Sequence, residues 1–436
     1  MATVGLYTLG CKVSQYETEA IREGFLDVGI ESRPFEEKND IYVINTCTVT
    51  AESDRKSRQI IRRAIKKNPD AIVAVVGCYT QRTPDEVAAI DGVDIVLGTD
   101  AKMTVIPLVQ ELLLTGRGKR TVSTTDVSVA NFEPMSIRTA PRTRAYVKIE
   151  DGCESKCTYC AISDARGRVR SKPREDVIAE VESLAASGIR EIVLTGIETG
   201  SYGRDFDADY RLADLICELD ARHSCDRLRL GSLAPELVGA DFVDKVRGVK
   251  ILAPHFHMSM QSGSDKVLRD MKRRYTTSRA LENIERLRAA FPEANFTTDL
   301  MVGFPGESDE DFLMTVDFVH RARLLDAHVF AYSRRKGTPA AEYKDQIPES
   351  VKRERSERLI AEKNKVRDML LDEIVAKGKP LSVIVETLED DGFYTAHSDS
   401  YVEVRFSAEK CRDLRGEMVC VAPVSHKNGI VLCELA

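Results

Sequence analysis

The stretch "DGCESKCTYC" places Cys153, Cys157 and Cys160 within eight positions, spaced by three residues and then two. A structural zinc site closes its tetrahedron with four ligands. No fourth cysteine or histidine lies near: the next cysteine is Cys217 and the nearest histidine His223. A disulfide would take two thiols and leave one over. Thiolates also hold iron–sulfur clusters, and three ligands for four irons leave one iron open to a small molecule. The spacing therefore favours an open iron–sulfur cluster, with zinc and chance as the alternatives.

A second set is dispersed. Three short apolar runs, "VGLYTLGC", "IYVINTC" and "AIVAVVGC", end in Cys11, Cys47 and Cys78, at spacings of 36 and 31 residues. Between them lie helix-like stretches such as "AESDRKSRQIIRRAIKKN". This spacing suits successive strand–helix–strand units. Parallel strands put their C-terminal ends on one edge, where open α/β sheets bind ligands, so the three thiols are expected to converge as a second three-thiolate site. The plain alternative is three small buried hydrophobes at strand ends.

The elements that must position these groups divide the chain into pieces. Residues 1–115 read as an open parallel α/β sheet. Residues 116–143, rich in Ser, Thr, Pro, Gly and Arg without periodicity, read as a linker. Residues 144–376 show six strand-like runs ("YVKIE", "EIVLTGI", "RLRLGSL", "HFHMSM", "FTTDLMVGF", "DAHVFAY") mostly separated by helical stretches. One helix opens at Pro173 and stops before Gly188, another opens at Ser308 with Asp311 as its capping box, and a long one covers about 350–376. Six strand–helix repeats imply a partial (β/α)6 barrel with reactive groups at the C-terminal strand ends. The triplet follows the first strand; Gly196 and Glu198 follow the second, Ser232 the third, Gln261 the fourth and Gly303 the fifth. Residues 380–436 hold five short strands with hairpin signals in "EDDGF" and "HKNGI", a small closed antiparallel barrel of a kind often used on nucleic acid.

The composition is ordinary for a globular protein of several domains: 436 residues, 43% hydrophobic, 31% charged, no Trp. No apolar run approaches a membrane span and the N-terminus lacks a basic start before an apolar core. The chain is read as cytoplasmic, where its eleven cysteines serve as ligands, catalysts or core residues rather than disulfides. Cys217, Cys225, Cys411, Cys420 and Cys433 are read as structural. The net charge of −7 gives no global attraction to nucleic acid, so an RNA partner needs local basic patches.

The three pieces together resemble the radical S-adenosylmethionine (SAM) methylthiotransferases along nearly the whole chain. That family combines an N-terminal three-cysteine domain, a radical domain with C-x3-C-x2-C and a C-terminal TRAM domain. "FHMSMQSGSDKVLRDMKRRYT", "TTDLMVGFPGE" and "HVFAYSRRKGTPAA" look most like its threonylcarbamoyladenosine-tRNA branch. The chain departs from the family pattern at Ser163 and Asp164, where a Pro-Tyr pair is expected, and at Ala234, where an acid is common.

The resemblance implies two [4Fe–4S] clusters. One would sit on Cys153, Cys157 and Cys160, bind SAM at its open iron and cleave it with one electron to methionine and a 5′-deoxyadenosyl radical. The second, on Cys11, Cys47 and Cys78, would present the sulfur that another SAM methylates. The product is a methylthio group on C2 of N6-threonylcarbamoyladenosine beside the anticodon. Gly196, Glu198, Ser232, Gln261 and Gly303 are the expected SAM contacts. Partners are the tRNA anticodon stem-loop, an unidentified electron donor and an unidentified sulfur source, with no membrane. Arg166, Arg168, Arg170 and Lys172, beside the triplet, are expected phosphate contacts; Tyr401 and Arg405 offer stacking and charge to an RNA loop, whereas Phe406 also suits a core position. The competing readings are a methylthiotransferase for another tRNA adenosine or for a ribosomal-protein aspartate, a non-catalytic metal-stabilised RNA-binding protein, and an iron–sulfur electron carrier. His255 and His257 share a strand face and are given no role.

Overall fold

The computed structural model describes residues 1–140, 143–408 and 413–436; Cys411 lies outside them. The N-terminal sheet is parallel throughout. It comprises β1 (Thr3–Thr8), β2 (Glu31–Arg33), β3 (Ile41–Thr46), β4 (Ile72–Gly77), β5 (Ile95–Leu97) and β6 (Thr121–Ser123) in the order β2-β1-β3-β4-β5-β6. Every residue of β3 and β4 is buried, because a parallel sheet is covered on both faces and needs continuous apolar strands. One face packs around Ile21, Phe25 and Val105, the other around Ile60, Ile61 and Tyr79.

Residues 116–143, read as a linker, contribute β6 as an edge strand paired with β5. Three residues are too few to show a period. Residues 135–139 lie as a strap on the helix Lys12–Asp27: Met135 and Ile137 are buried, and the backbone N–H groups of Arg138 and Thr139 donate to Glu23.

The central domain has β7 (Arg144–Lys148), β8 (Glu150–Asp151), β9 (Arg170–Ser171), β10 (Glu191–Thr195), β11 (Arg227–Leu230), β12 (Ser232–Leu233), β13 (His255–Gln261), β14 (Asn295–Val302) and β15 (Asp326–Ala331). The parallel order β7-β10-β11 continues as β12-β13-β14-β15, the third strand being broken at Gly231, which gives the six-strand open barrel. The antiparallel pair β8/β9 pinches off the loop that holds the cysteine triplet. Pro173 proves to be the N-cap residue of the helix Arg174–Ala186, and Ser308 caps Asp309–Ala322 reciprocally with Asp311.

A 29-residue helix, Glu349–Lys377, leads to the closed barrel β16 (Leu381–Leu388), β17 (Phe393–Ser398), β18 (Glu403–Ser407), β19 (Met418–Lys427) and β20 (Ile430–Leu435). Asn428 and Gly429, both at positive φ, turn the β19–β20 hairpin as "KNG" requires. No described helix is long and apolar enough to cross a membrane.

Candidate functional site

Cys11 is the N-cap residue of the helix Lys12–Asp27, Cys47 follows β3, and Cys78 opens the helix Cys78–Arg82 after β4. Since β1, β3 and β4 are neighbours, the three thiols meet at one sheet edge. Each of Cys11 and Cys78 acts electrostatically on Cys47, and Cys11 on Cys78. Cys153, Cys157 and Cys160 form a second group, with Cys157 acting on Cys153 and both on Cys160. Glycines at positive φ, Gly10, Gly77 and Gly152, precede three of the six cysteines. A Cβ on Gly152 would lie 1.8 Å from the Arg168 carbonyl, and one on Gly77 2.6 Å from that of Thr46. The repeated Gly-Cys dipeptide is a sequence signal for both sites, independent of the cysteine spacing.

Burial pushes the thiols up, Cys47 to about 11 and Cys160 to about 12. Donors aim at the sulfurs: Ile162 N–H at Cys160 Sγ (3.3 Å), Val49 N–H at Cys47 Sγ (3.5 Å), Arg273 Nη1 at Cys157 Sγ (3.2 Å) and Arg166 Nε at Cys78 Sγ (3.2 Å). A neutral thiol has little need of a buried guanidinium, whereas a ligating thiolate is stabilised by one. Among the described residues no three His, Cys, Asp or Glu side chains converge tightly enough for a single metal ion. Thiolates that each take a different iron of a cluster need not converge on a single point.

The two sites face each other across a buried charged seam. Glu17 accepts from Arg166 Nη1 (2.5 Å) and Nη2 (3.2 Å), Lys102 (3.0 Å) and Lys148 (2.9 Å); Asp151 is paired with Lys148 (2.6 Å), Arg166 (3.0 Å) and Arg170 (3.5 Å). Burial alone would raise Glu17, but the Arg166, Lys102 and Lys148 charges outweigh it and hold the carboxyl well below its ordinary range. Four cations stand against two carboxylates, a positive surplus beside Cys78 that suits anionic thiolate ligation.

Burial removes three of the expected phosphate contacts from reach of solvent. Arg166 and Arg170 are consumed in the seam, and Lys172 is buried between Glu180 and the Met135 carbonyl (2.8 Å). Four cations in seven residues look like an exposed basic turn, but the helix Ile162–Arg166 buries the first, β9 and the residue after it bury the third and fourth, and only Arg168 is left exposed. Tyr401, expected to stack on RNA, is stacked on His255 at 4.3 Å under the Arg229 guanidinium. Arg405 lies over Phe393 and pairs with Asp391, and Phe406 is core.

The remaining expected contacts fall at strand ends. Glu198 donates its N–H to Glu150 Oε2 (2.8 Å) and accepts from Ala234 N–H (3.1 Å); burial pushes its carboxyl up to about 7, with Arg273 opposing. Gly196 is pressed on Glu150, where a Cβ would meet Oε2 at 2.5 Å. Glu150 Oε1 and Glu236 Oε2 are buried without a hydrogen-bond partner in the protein, so this pocket has polar capacity to spare. Glu236, two residues beyond Ala234, also brings a carboxylate to bear on Glu198. Ser232 opens β12, and Gln261 ends β13 at φ 69. Gly303 (φ +70) turns beneath Lys352 and donates to Glu307 Oε2 at 2.7 Å.

Sequence reasoning missed Arg273 and Arg335. Arg335 Nη2 crosses from the loop after β15 to Thr48 Oγ1 (2.7 Å) and Asp54 (2.6 Å), locking the segment next to Cys47. Nothing in a charged "YSRRKG" loop reveals which arginine is buried. His255 and His257 both bond Thr297 Oγ1 (2.9 Å each) inside the barrel. No described cysteine forms a disulfide, and Cys225 and Cys433 are buried as structural residues would be.

The Radical SAM superfamily matches residues 147–319, and the Uncharacterized protein family UPF0004 matches residues 3–98. Threonylcarbamoyladenosine tRNA methylthiotransferase MtaB of Bacillus subtilis is 40% identical, over 97% of this chain and 93% of its own length; that of Thermotoga maritima is 35% identical, over 100% and 97%. A tRNA-2-methylthio-N(6)-dimethylallyladenosine synthase of Carboxydothermus hydrogenoformans is 33% identical over 86% and 88%. Among solved structures, the radical S-adenosylmethionine methyltransferase TsrM of Kitasatospora setae superimposes with a TM-score of 0.58 at 17% identity, over 78% of this chain and 77% of its own, a likeness of fold alone. With both domains matched and relatives aligned end to end, this chain belongs to the radical SAM methylthiotransferase family.

Proposed function

We propose that this protein adds a methylthio group to C2 of N6-threonylcarbamoyladenosine beside the anticodon of tRNA. The observation that carries the reading is the full-length identity to relatives named for that activity. Two three-cysteine sites joined through Arg166 support it. Cys153, Cys157 and Cys160 would hold one [4Fe–4S] cluster, and Cys11, Cys47 and Cys78 the other. Such clusters with SAM supply one-electron sulfonium cleavage and a sulfur for methyl transfer. The chain's own part is to bind, orient and exclude water. Arg273 and Arg166 offset thiolate charge at one ligand of each site. Glu198, Glu150 and Gly196 line the end of β10, where the protonatable Glu198 carboxyl is placed to accept from a cationic amine. Ser232, Gln261 and Gly303 complete the rim of strand ends. An external electron donor and a sulfur source are required.

The test is anaerobic reconstitution with iron and sulfide, then nucleoside analysis of tRNA incubated with SAM and reductant. The expected product is the 2-methylthio derivative of N6-threonylcarbamoyladenosine. Modification of N6-dimethylallyladenosine instead would move the chain to the neighbouring branch, and a modified ribosomal protein with unchanged tRNA would refute the RNA substrate.

A further inference from the structure

Beside the cysteine loop lies a cavity of about 390 Å³ lined by Glu154, Ser155, Lys156, Ser201, Arg204 and Arg274. Three cations face it against one carboxylate. Many exposed arginines of this chain are drawn into ion pairs, as Arg190 is with Asp226 and Arg222 with Glu182. Among the described residues Lys156 and Arg204 have no such partner, and Arg274 makes one long bond, Nη2 to the Glu154 carbonyl at 3.5 Å. Arg168, exposed, precedes Val169 of the cavity wall, but its guanidinium reaches the Ala130 carbonyl (3.4 Å) and is not counted with the patch. The cavity adjoins the candidate chemistry, since Lys156 lies between Cys153 and Cys157 in the loop and Arg204 is near enough to act on Glu198.

Lys156 is itself in the left-handed region, at φ 49. A side chain there costs ~1–2 kcal/mol relative to glycine, and the chain uses Gly10, Gly77 and Gly152 for its other turns beside cysteines. Six other non-glycine residues, Lys272 and Arg323 among them, also take positive φ, so the backbone alone assigns Lys156 no role; what marks it is an unpaired ammonium group on the cavity wall.

We infer that this cavity binds a backbone phosphate of the RNA next to the target nucleotide, with Lys156, Arg204 and Arg274 as its contacts. The inference rests on the tRNA reading above and names a docking point that the buried Arg166, Arg170 and Lys172 do not provide. Unpaired cations at a cavity mouth gain from counterion release when a polyanion docks. Phosphate contacts near the chemistry would fix the register of the loop without reading its sequence.

The test uses the full-length reconstituted protein and a synthetic RNA hairpin of the anticodon arm, with binding measured by fluorescence anisotropy across salt concentrations. Lys156→Gly, Arg204→Gln and Arg274→Gln should each make the salt slope shallower by about 0.7, and the triple variant by about 2. Between ~50 and ~200 mM salt the wild type should then lose about twenty-fold more affinity than the triple variant. Lys156→Arg keeps the charge and should bind as wild type, which separates loss of the cation in Lys156→Gly from any loosening of the loop that glycine brings. Inorganic phosphate at matched ionic strength should compete no better than chloride. Wild-type binding and modification together with an unchanged slope in the triple variant would overturn the inference and leave the tRNA reading standing. Specific competition by inorganic phosphate would reassign the cavity to a free phosphate. Failure of the wild type to bind the hairpin would overturn both.

Discussion

Replacing Arg166 by Met tests whether the buried seam is a structural keystone. The methionine keeps most of the volume and removes the guanidinium that bridges Glu17, Asp151 and Cys78. Breaking a buried pair by removing one partner costs ~3–5 kcal/mol, because the other charge is left uncompensated. Here the survivors are not bare: Glu17 keeps Lys102 and Lys148, and Asp151 keeps Lys148 and Arg170. The loss should therefore fall near the lower end, ~3 kcal/mol. Glu17→Gln is the harsher change. It takes the shared anion from three cations and leaves Lys102 only the Glu133 carboxyl, which has no hydrogen bond to it, so ~4–5 kcal/mol is expected. Thermal unfolding of iron-free protein, at ~2–4 °C per kcal/mol for domains of this size, should show Arg166→Met lowered by about 6 °C or more and Glu17→Gln lowered further. The double variant should lose less than the sum, since each change removes the other's partner. An Arg166→Met midpoint within about 1 °C of wild type, or the reverse order of the two variants, would show that the seam's energetics have been misread.

Changing Cys153, Cys157 and Cys160 together to Ala should remove about half of the bound iron and abolish SAM cleavage, whereas changing Cys11, Cys47 and Cys78 should spare cleavage and stop methylthiolation; full iron content in the first variant would sink the assignment. Because burial raises the thiols, to about 12 for Cys160 and about 11 for Cys47, iron uptake must release protons, and iron retained per chain should rise between about pH 6 and 9; flat or falling retention would contradict it. The Glu198 carboxyl, ordinarily near 4.5 and raised to about 7 in the folded chain, favours the folded state fully below about 4.5 and loses that contribution as pH climbs through about 7. Its ionisation above pH 7 should cost up to ~3 kcal/mol, so Glu198→Gln should raise the melting point of the iron-free chain at pH 8 and not at pH 4.5. Equal pH dependence in variant and wild type would rule that out.

Strand ends were legible because parallel strands and a shared edge follow from pattern alone. Cys11, Cys47 and Cys78 converge for that reason, and the triplet follows β7 as the barrel rule asks. Side-chain burial was not legible. Arg166, Arg168, Arg170 and Lys172 form one uniform basic run, yet a five-residue helix ending at Arg166 and the two-residue pairing β8/β9 send the first, third and fourth inward and leave the second outward. A strand that short has no period to detect. Tyr401 resembled an RNA-facing residue by composition, but which face of a small barrel meets solvent depends on where it docks; Arg405 stays partly exposed beside Asp391. Residues 116–143 lacked periodicity because individual contacts such as those of Glu23 and Glu180 hold them, not a repeating face.

The docking of the C-terminal barrel limits what it can do. Its contacts gather at the starts of the central strands: Arg229 holds Glu191 (2.9 and 3.0 Å) and the carbonyls of Ser398 and Asp399, Arg227 reaches Ser382 Oγ (2.7 Å), and Asn295 donates to the Ser400 carbonyl (3.1 Å). The cysteines lie at the opposite ends of those strands. The eight-residue strand β14 runs from Asn295 to the residue before Gly303, so Asn295 and Gly303 lie eight residue steps apart, about 26 Å at ~3.3 Å per step. A base reacting beside Cys153 therefore cannot be read by β16–β20, so any RNA affinity the barrel adds acts on a stem some way from the chemistry. The same docking makes deletion of residues 380–436 a poor test of that affinity. The deletion would uncover the buried Glu191 and Arg229 and unseat Tyr401 from His255, and the central domain would suffer along with the RNA contact. Point changes on the barrel's outer face leave that joint intact and separate the two effects.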